Sequence, residues 1–217
     1  MLIPLTRAKF EELIPAVATG DQYKYYWGKP ADFLKRLLIS ITGLVAVFIL
    51  KSLLPDGFSL LEFIVGVVIS LYWLWAPVYQ ASRRNLGCRK YQYSGFWQGR
   101  VLDVFVTEEL IGKEETVNNK GELVIVENRE RRLNLEIGDE TGFETKIQVP
   151  LKRDHRVIRR GDIAEMVVMS NRPDLSRFTK ISDVYLSDYD LWVSDYPLLR
   201  RDSFIYVSRR LNRDIAR

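Results

Sequence analysis

The chain has 217 residues, 32 of them basic and 28 acidic, for a net charge of +4. So small an excess argues against a dedicated nucleic-acid binder, which concentrates positive charge on one face. The single cysteine, Cys88, excludes an internal disulfide, and the single histidine, His155, leaves neither a multi-ligand zinc site nor an evident nucleophile–base pair. His155 sits in the charged run Lys152-Arg153-Asp154-His155-Arg156 and reads as a solvated loop residue.

The near-neutral mean hydropathy hides a strong asymmetry. Apolar residues crowd between Leu37 and Ala81, while charge fills residues 83–217. In residues 1–36, Phe10, Leu13 and Val17 mark a short amphipathic helix that stops before Gly20. Tyr25, Tyr26 and Trp27 follow, then Lys35 and Arg36, a combination suited to headgroup depth at a membrane surface.

Residues 37–82 predict a two-helix transmembrane hairpin. The first apolar run, Leu37 to Leu54, carries only Lys51, near enough to its end to reach towards headgroups. The second, Phe63 to Ser82, has no formal charge and matches the roughly 20 residues that cross a core of about 30 Å. Its Phe, Ile, Val and Leu residues gain roughly 2–5 kcal/mol on insertion. Tyr72, Trp73, Trp75 and Tyr79 form an interfacial belt at its end, where Pro77 is expected to kink the helix. Pro55-Asp56-Gly57-Phe58-Ser59 supplies a tight reversal, and Gly66-x-x-x-Ser70 a small-residue face for close helix packing. A cleaved signal peptide does not fit, because residues 1–36 include acidic groups. Lys35 and Arg36 precede the first run, while Arg83, Arg84, Arg89 and Lys90 form a basic linker over residues 83–95. This bias places both termini on the cytoplasmic side.

From residue 96 to 196 the period becomes two. Leu133, Leu135 and Ile137 alternate with polar residues, as do Phe143, Thr145, Ile147 and Val149 after the turn at 138–142. Further strands are predicted at Gly99–Thr107, Leu123–Glu127, Ile163–Met169 and Lys180–Leu186, with a turn at Asn118-Asn119-Lys120-Gly121. Short strands in such number predict a small closed or partly closed antiparallel barrel, OB-like or SH3-like. The mixed charges Arg132, Glu136, Glu144 and Lys146 on its wet face do not suit nucleic acid.

Tyr185-Leu186-Ser187-Asp188-Tyr189 is echoed by Trp192-Val193-Ser194-Asp195-Tyr196. Two turns with side-chain–backbone bonds account for the echo. Alternatively, Tyr185, Asp188, Tyr189, Trp192, Asp195 and Tyr196 form an acidic, aromatic surface that docks a partner. In the tail, residues 197–217, Phe204, Val207, Leu211 and Ile215 share one helical face, with arginines on the others. Such a basic amphipathic helix lies on an anionic membrane or packs on the barrel.

Tyr25-Tyr26-Trp27-Gly28, the apolar hairpin and Gly95-Phe96-Trp97-Gln98-Gly99-Arg100-Val101 together resemble an uncharacterised group of cyanobacterial two-span membrane proteins, some bearing a transport-permease label. The resemblance implies a thylakoid or plasma-membrane address and transfers no active-site residue. Permeation by two spans alone is physically strained, since neither has a central ionisable residue.

The expected fold is thus an α+β membrane protein: a hairpin anchor, a β domain and an amphipathic tail. The expected function is a non-enzymatic accessory or assembly factor that works with the bilayer and another membrane protein or complex. Alternatives are an accessory subunit of a transport system, or an enzyme using only carboxylates such as Asp183, Asp188, Asp190 and Asp195. No catalytic residue, metal or cofactor is assigned.

Overall fold

A computed structural model describes residues 1–53, 59–117 and 123–215. The turns expected at 55–58 and 118–121 lie outside the described residues. The chain divides into two units, one of residues 1–10, 91–199 and 204–217, the other of residues 11–90 and 200–203.

The helical unit contains α2 (Gly20–Trp27), α3 (Pro30–Leu53), α4 (Ser59–Ser70) and α5 (Tyr72–Arg89). It is preceded by α1 (Arg7–Leu13), which ends before the exposed Val17. At 24 residues, α3 is about 36 Å long and apolar enough to cross a membrane, with 11% of its apolar window buried inside the chain. The second apolar stretch departs from expectation. It is broken at Leu71, where α4 and α5 meet at 74°. Pro77, the expected kink, lies inside α5 beyond the break. Arg83 and Arg84, expected in a linker, extend the same helix, which runs on to Arg89.

Local hydrogen bonds explain how the break is tolerated. A helix end leaves amides and carbonyls without partners, a heavy cost in apolar surroundings. Here the Ser70 hydroxyl donates to the Val67 carbonyl at 2.8 Å, and the Trp75 indole to the Val68 carbonyl at 2.9 Å. On the α5 side, the Trp73 amide donates to Ser40 Oγ of α3 at 3.3 Å. Close packing of α3 on α4 occurs at Gly43, where an added Cβ would lie 2.5 Å from Ile69 Cγ2. Gly66, whose face the sequence offered for packing, has open space around it.

The other unit is a mixed-length antiparallel sheet with path order β4-β3-β2-β5-β7-β8. Its strands are β1 (Leu2–Pro4), β2 (Tyr93–Val117), β3 (Leu123–Gly138), β4 (Glu144–Pro150), β5 (Ile163–Ser170), β6 (Lys180–Ile181), β7 (Val184–Leu186) and β8 (Leu191–Val193); β1 pairs with β2 and β6 with β5. The expected hairpin of alternating residues is the β3–β4 pair, with Leu135 opposite Ile147 and Leu133 opposite Val149. A closed barrel is not what forms. Strands from both ends of the path, β4 through Val149 and β8 through Val193, reach one apolar cluster around Trp97, Leu135, Ile137 and Met166. The sheet therefore curls around that cluster, but among the described residues no ladder joins β4 to β8.

The reason lies in β5, which is buried along nearly its whole length rather than in alternation. Its Ala164, Met166 and Val168 face the cluster. The opposite face is roofed by the tail helix α6 (Arg201–Ile215), whose Phe204 stacks on Phe96 at a centroid distance of 5.6 Å. A strand sandwiched this way needs apolar residues on both sides. The tail thus takes the second of its two expected roles and packs on the sheet.

β2 and β3 run beyond the rest of the sheet. β5 pairs with β2 only as far as Arg100, and β4 with β3 as far as Arg132. From there the two strands continue as a ribbon, with Lys113 opposite Glu127 and Thr116 opposite Val124.

Candidate functional site

In the helical unit, α2 begins with a capping box in which Thr19 Oγ1 accepts from the Gln22 amide and Gln22 Oε1 from the Thr19 amide. The fully buried Gln22 also exchanges two hydrogen bonds with the fully buried Asn85 of α5, at 3.1 and 2.8 Å. This amide pair fixes α2 against α5. At its other end α2 reaches Gly28, whose φ of +73° suits glycine. The last carbonyls of α2, on Tyr26 and Trp27, are capped by the guanidinium of Arg36 from α3. Arg36 is 7% exposed, lies against the Trp27 ring, and has a buried Nε without a partner.

The aromatic residues marked as interfacial separate into two groups. Trp27 and Trp73 pack on each other and on Phe33, with centroids 5.7–6.2 Å apart. Tyr72, Trp75 and Tyr79 form an edge-to-face ladder along α5. Trp75, Tyr79 and Leu86 are exposed on a single stripe, with Arg83 at its margin and Arg84 exposed on the opposite flank. Tyr25 and Tyr26 meet edge-to-face beside Lys35 and Arg36. Together with Tyr72, Gln80 and Ile39 these residues line a cleft of about 440 Å³.

In the sheet unit, the six aromatic and acidic residues assigned to a partner surface divide by burial. Tyr185 and Tyr196 are buried and Trp192 half-buried. Tyr185 and Trp192 pack on each other and on Phe204, so these rings form the seat of α6. Asp188, Tyr189 and Asp195 remain exposed. The Tyr185 hydroxyl donates to Asp190 at 2.7 Å, and burial, then that carboxylate, pushes its pKa up to about 12.

The carboxylates considered for catalysis are dispersed. Asp183 accepts from the Leu198 and Leu199 amides, Asp190 from Tyr185, and Asp188 from the Ile163 amide at 3.5 Å. Among the described residues no group of three or more His, Cys, Asp or Glu is placed to hold a metal. A larger cleft of about 590 Å³ opens near Gly99, Arg100, Asp139 and Thr141. Asp139 is fully engaged there: it accepts from the Thr141 amide and hydroxyl, the Phe143 amide and the Trp97 indole. It works as a turn-holder.

His155 is not solvated, contrary to its charged sequence context. It is 3% exposed within a 3-10 turn, and its Nδ1 accepts the Lys152 amide at 3.3 Å. Burial first, then the Lys152 charge, lowers its pKa below the usual histidine value.

One buried acid escaped the sequence reading. Glu165 of β5 is fully buried, and its Oε1 accepts from Gln98 at 3.0 Å and Asn212 at 2.9 Å. The signal was a lone acid inside the apolar run Ile163-Ala164-Glu165-Met166-Val167.

The family model of DUF8619, described as a family of unknown function, matches residues 3–214. No curated protein and no solved structure matches the chain.

Proposed function

The chain belongs to DUF8619, and for it we propose an integral membrane accessory or assembly factor that presents its sheet unit at the cytoplasmic face of a membrane complex. One observation carries the proposal. On α3 and α4, large apolar side chains point outward over a broad face: Leu38, Val45, Phe48 and Leu53, then Leu60, Phe63, Ile64 and Val68 are all at least half exposed. A core helix of a water-soluble protein hides such residues; helices that meet acyl chains display them.

In this reading α3 crosses the bilayer and α4 returns, so both ends of the pair lie on one side. The charge bias makes that side cytoplasmic: Lys35 and Arg36 lie in the first two turns of α3 and Arg83, Arg84 and Arg89 on α5, against Glu62 at the start of α4. At 12 residues, α4 is about 18 Å long, short of a hydrocarbon core of about 30 Å, so the return leg requires the bilayer to thin locally around it. The 74° turn at Leu71 then lays α5 along the surface, with Trp75, Tyr79 and Leu86 towards lipid and Arg83 at headgroup level. A thylakoid or plasma membrane is the proposed address.

Partner recognition is assigned to the sheet unit. The β2–β3 ribbon carries Ile111, Leu123 and Ile125 more than half exposed among charged neighbours. An isolated two-stranded ribbon is marginally stable in water, and a partner surface would supply its missing contacts. Asp188, Tyr189 and Asp195 add exposed polar and aromatic groups. A membrane anchor raises the local concentration of such a module near a complex in the same bilayer.

The test is two-sided cysteine labelling with co-purification. In a Cys88→Ser background, Ser59→Cys should react from the side opposite the cytoplasm and Arg200→Cys from the cytoplasmic side. Mild-detergent purification should recover other membrane proteins, and their loss on replacing Leu123 and Ile125 with Ser would assign the contact to the ribbon. Labelling of Ser59→Cys and Arg200→Cys from the same side would refute the crossing.

A further inference from the structure

We infer that the cleft between α2, α3 and α5 binds the phosphate of a phospholipid headgroup. The inference rests on the membrane reading above for the source of the phosphate, and on the cleft's own chemistry for the phosphate itself.

Arg36 supplies the main argument. The residue is more than nine-tenths buried, forms no ion pair among the described residues, and its guanidinium spends two donors on the Tyr26 and Trp27 carbonyls. Nε is buried with nothing to donate to, although Arg36 lines an open cleft. A buried cation without a counter-charge is costly, and a phosphate oxygen is the partner that matches a guanidinium's fork of donors.

The other lining groups fit the same ligand. Lys35 is exposed at the cleft and forms no ion pair among the described residues. The Tyr72 hydroxyl and Gln80 amide add neutral donors. Asp32 is the acid on the rim, and its Oδ2 is committed to the Lys29 amide at 3.1 Å. Lys35 and Arg36 against Asp32 leave one positive charge for a singly charged phosphodiester.

The apolar side of the cleft selects a lipid over free phosphate. Ile39, half exposed, continues from the cleft onto the bare surface of α3 at Leu38 and Ile41. A headgroup seated between Lys35 and Arg36 would run its acyl chains down that surface.

The test uses the full chain in an uncharged detergent, read by native mass spectrometry. The probes are phosphatidylglycerol, a phosphate-free glycosyl diacylglycerol, and inorganic phosphate or glycerol phosphate as competitors. The expected result is one retained phosphatidylglycerol, little retention of the glycolipid, and no displacement by the soluble phosphates at matched concentration. Lys35→Gln should weaken retention roughly tenfold, as loss of a charge-assisted contact does. Tyr72→Phe should weaken it less, and Lys51→Gln, at the far end of α3, should leave it unchanged. Equal retention of the glycolipid, or indifference to Lys35→Gln, overturns the inference. Displacement by inorganic phosphate overturns the lipid assignment and leaves a soluble anion. Carbonate extraction of membranes, run on the same preparations, judges the membrane reading separately, because a chain released to the aqueous phase can still be assayed with the soluble phosphates.

Discussion

Asn212, in the last third of α6, donates to Oε1 of the buried Glu165 on β5 at 2.9 Å, and Gln98 completes the triangle by donating 3.0 Å bonds to both. The tail helix is thus fixed by a polar latch as well as by the stacking of Phe204. Glu165→Ala strands two amides under α6 and is expected to cost about 2–4 kcal/mol. Asn212→Ala should cost about 1–2 kcal/mol, and the double variant less than the sum, because the residues act on each other. Denaturant titration of the detergent-purified chain measures all three; strict additivity would contradict the latch.

Phe204 meets Phe96, Tyr185 and Trp192 within 6.0 Å, so it is the apolar half of the same attachment. Phe204→Ala should cost about 3–5 kcal/mol and release the tail. Limited proteolysis should then cut near residue 200, with Tyr185 and Trp192 newly accessible to quenchers. Uncut tail would contradict the packing.

Gly43 and Gly66 offer a contrast within one helix pair. A side chain at Gly43 collides with Ile69, whereas one at Gly66 meets open space. Gly43→Val should destabilise the detergent-solubilised helical unit by about 1–3 kcal/mol, and Gly66→Val should leave its thermal unfolding almost unmoved. Equal effects would show that α3 and α4 pack elsewhere.

A buried histidine and a half-buried carboxylate contribute to the response to acid. His155 is held neutral, so its folded pKa lies below the usual 6.5 and the unfolded chain takes up the proton first. Stability is full above pH 6.5 and falls as pH drops from there towards the folded value. His155→Gln should flatten that part of the profile. For Asp139, burial opposes ionisation, but the bonds from Thr141, Trp97 and Phe143 outweigh it and lower the pKa below 3.8. Its contribution is present above 3.8 and lost as pH falls through the folded value. Asp139→Asn should remove that second loss in a pH series of unfolding midpoints.

Periodicity carried the sequence reading where one face of an element was wet. The β3–β4 hairpin, with Leu133, Leu135 and Ile137 facing one way, was legible for that reason. β5 was found as a strand, but its two-sided burial depends on α6, which lies far along the chain and supplies Phe204 and Asn212. Full barrel closure failed at the same point: closure is one way to bury a sheet's second face, and a covering helix is another. The break at Leu71 was illegible because no proline or glycine marks it; its support comes from Ser40, 31 positions earlier, and from the Trp75 indole. His155 was misread from its charged neighbours, whose side chains point outward while the imidazole turns in. In the candidate cleft the residue types were visible, and the isolation of Arg36 was not, because it arises only when α2 ends against α3.

Membrane insertion of α3 and α4 is the claim on which the proposed role depends, and alkaline-carbonate fractionation of cells expressing the full chain measures it most directly. The protein should remain in the membrane pellet at high pH and enter solution only with detergent. Recovery in the carbonate supernatant, as a monodisperse species without detergent, would contradict it.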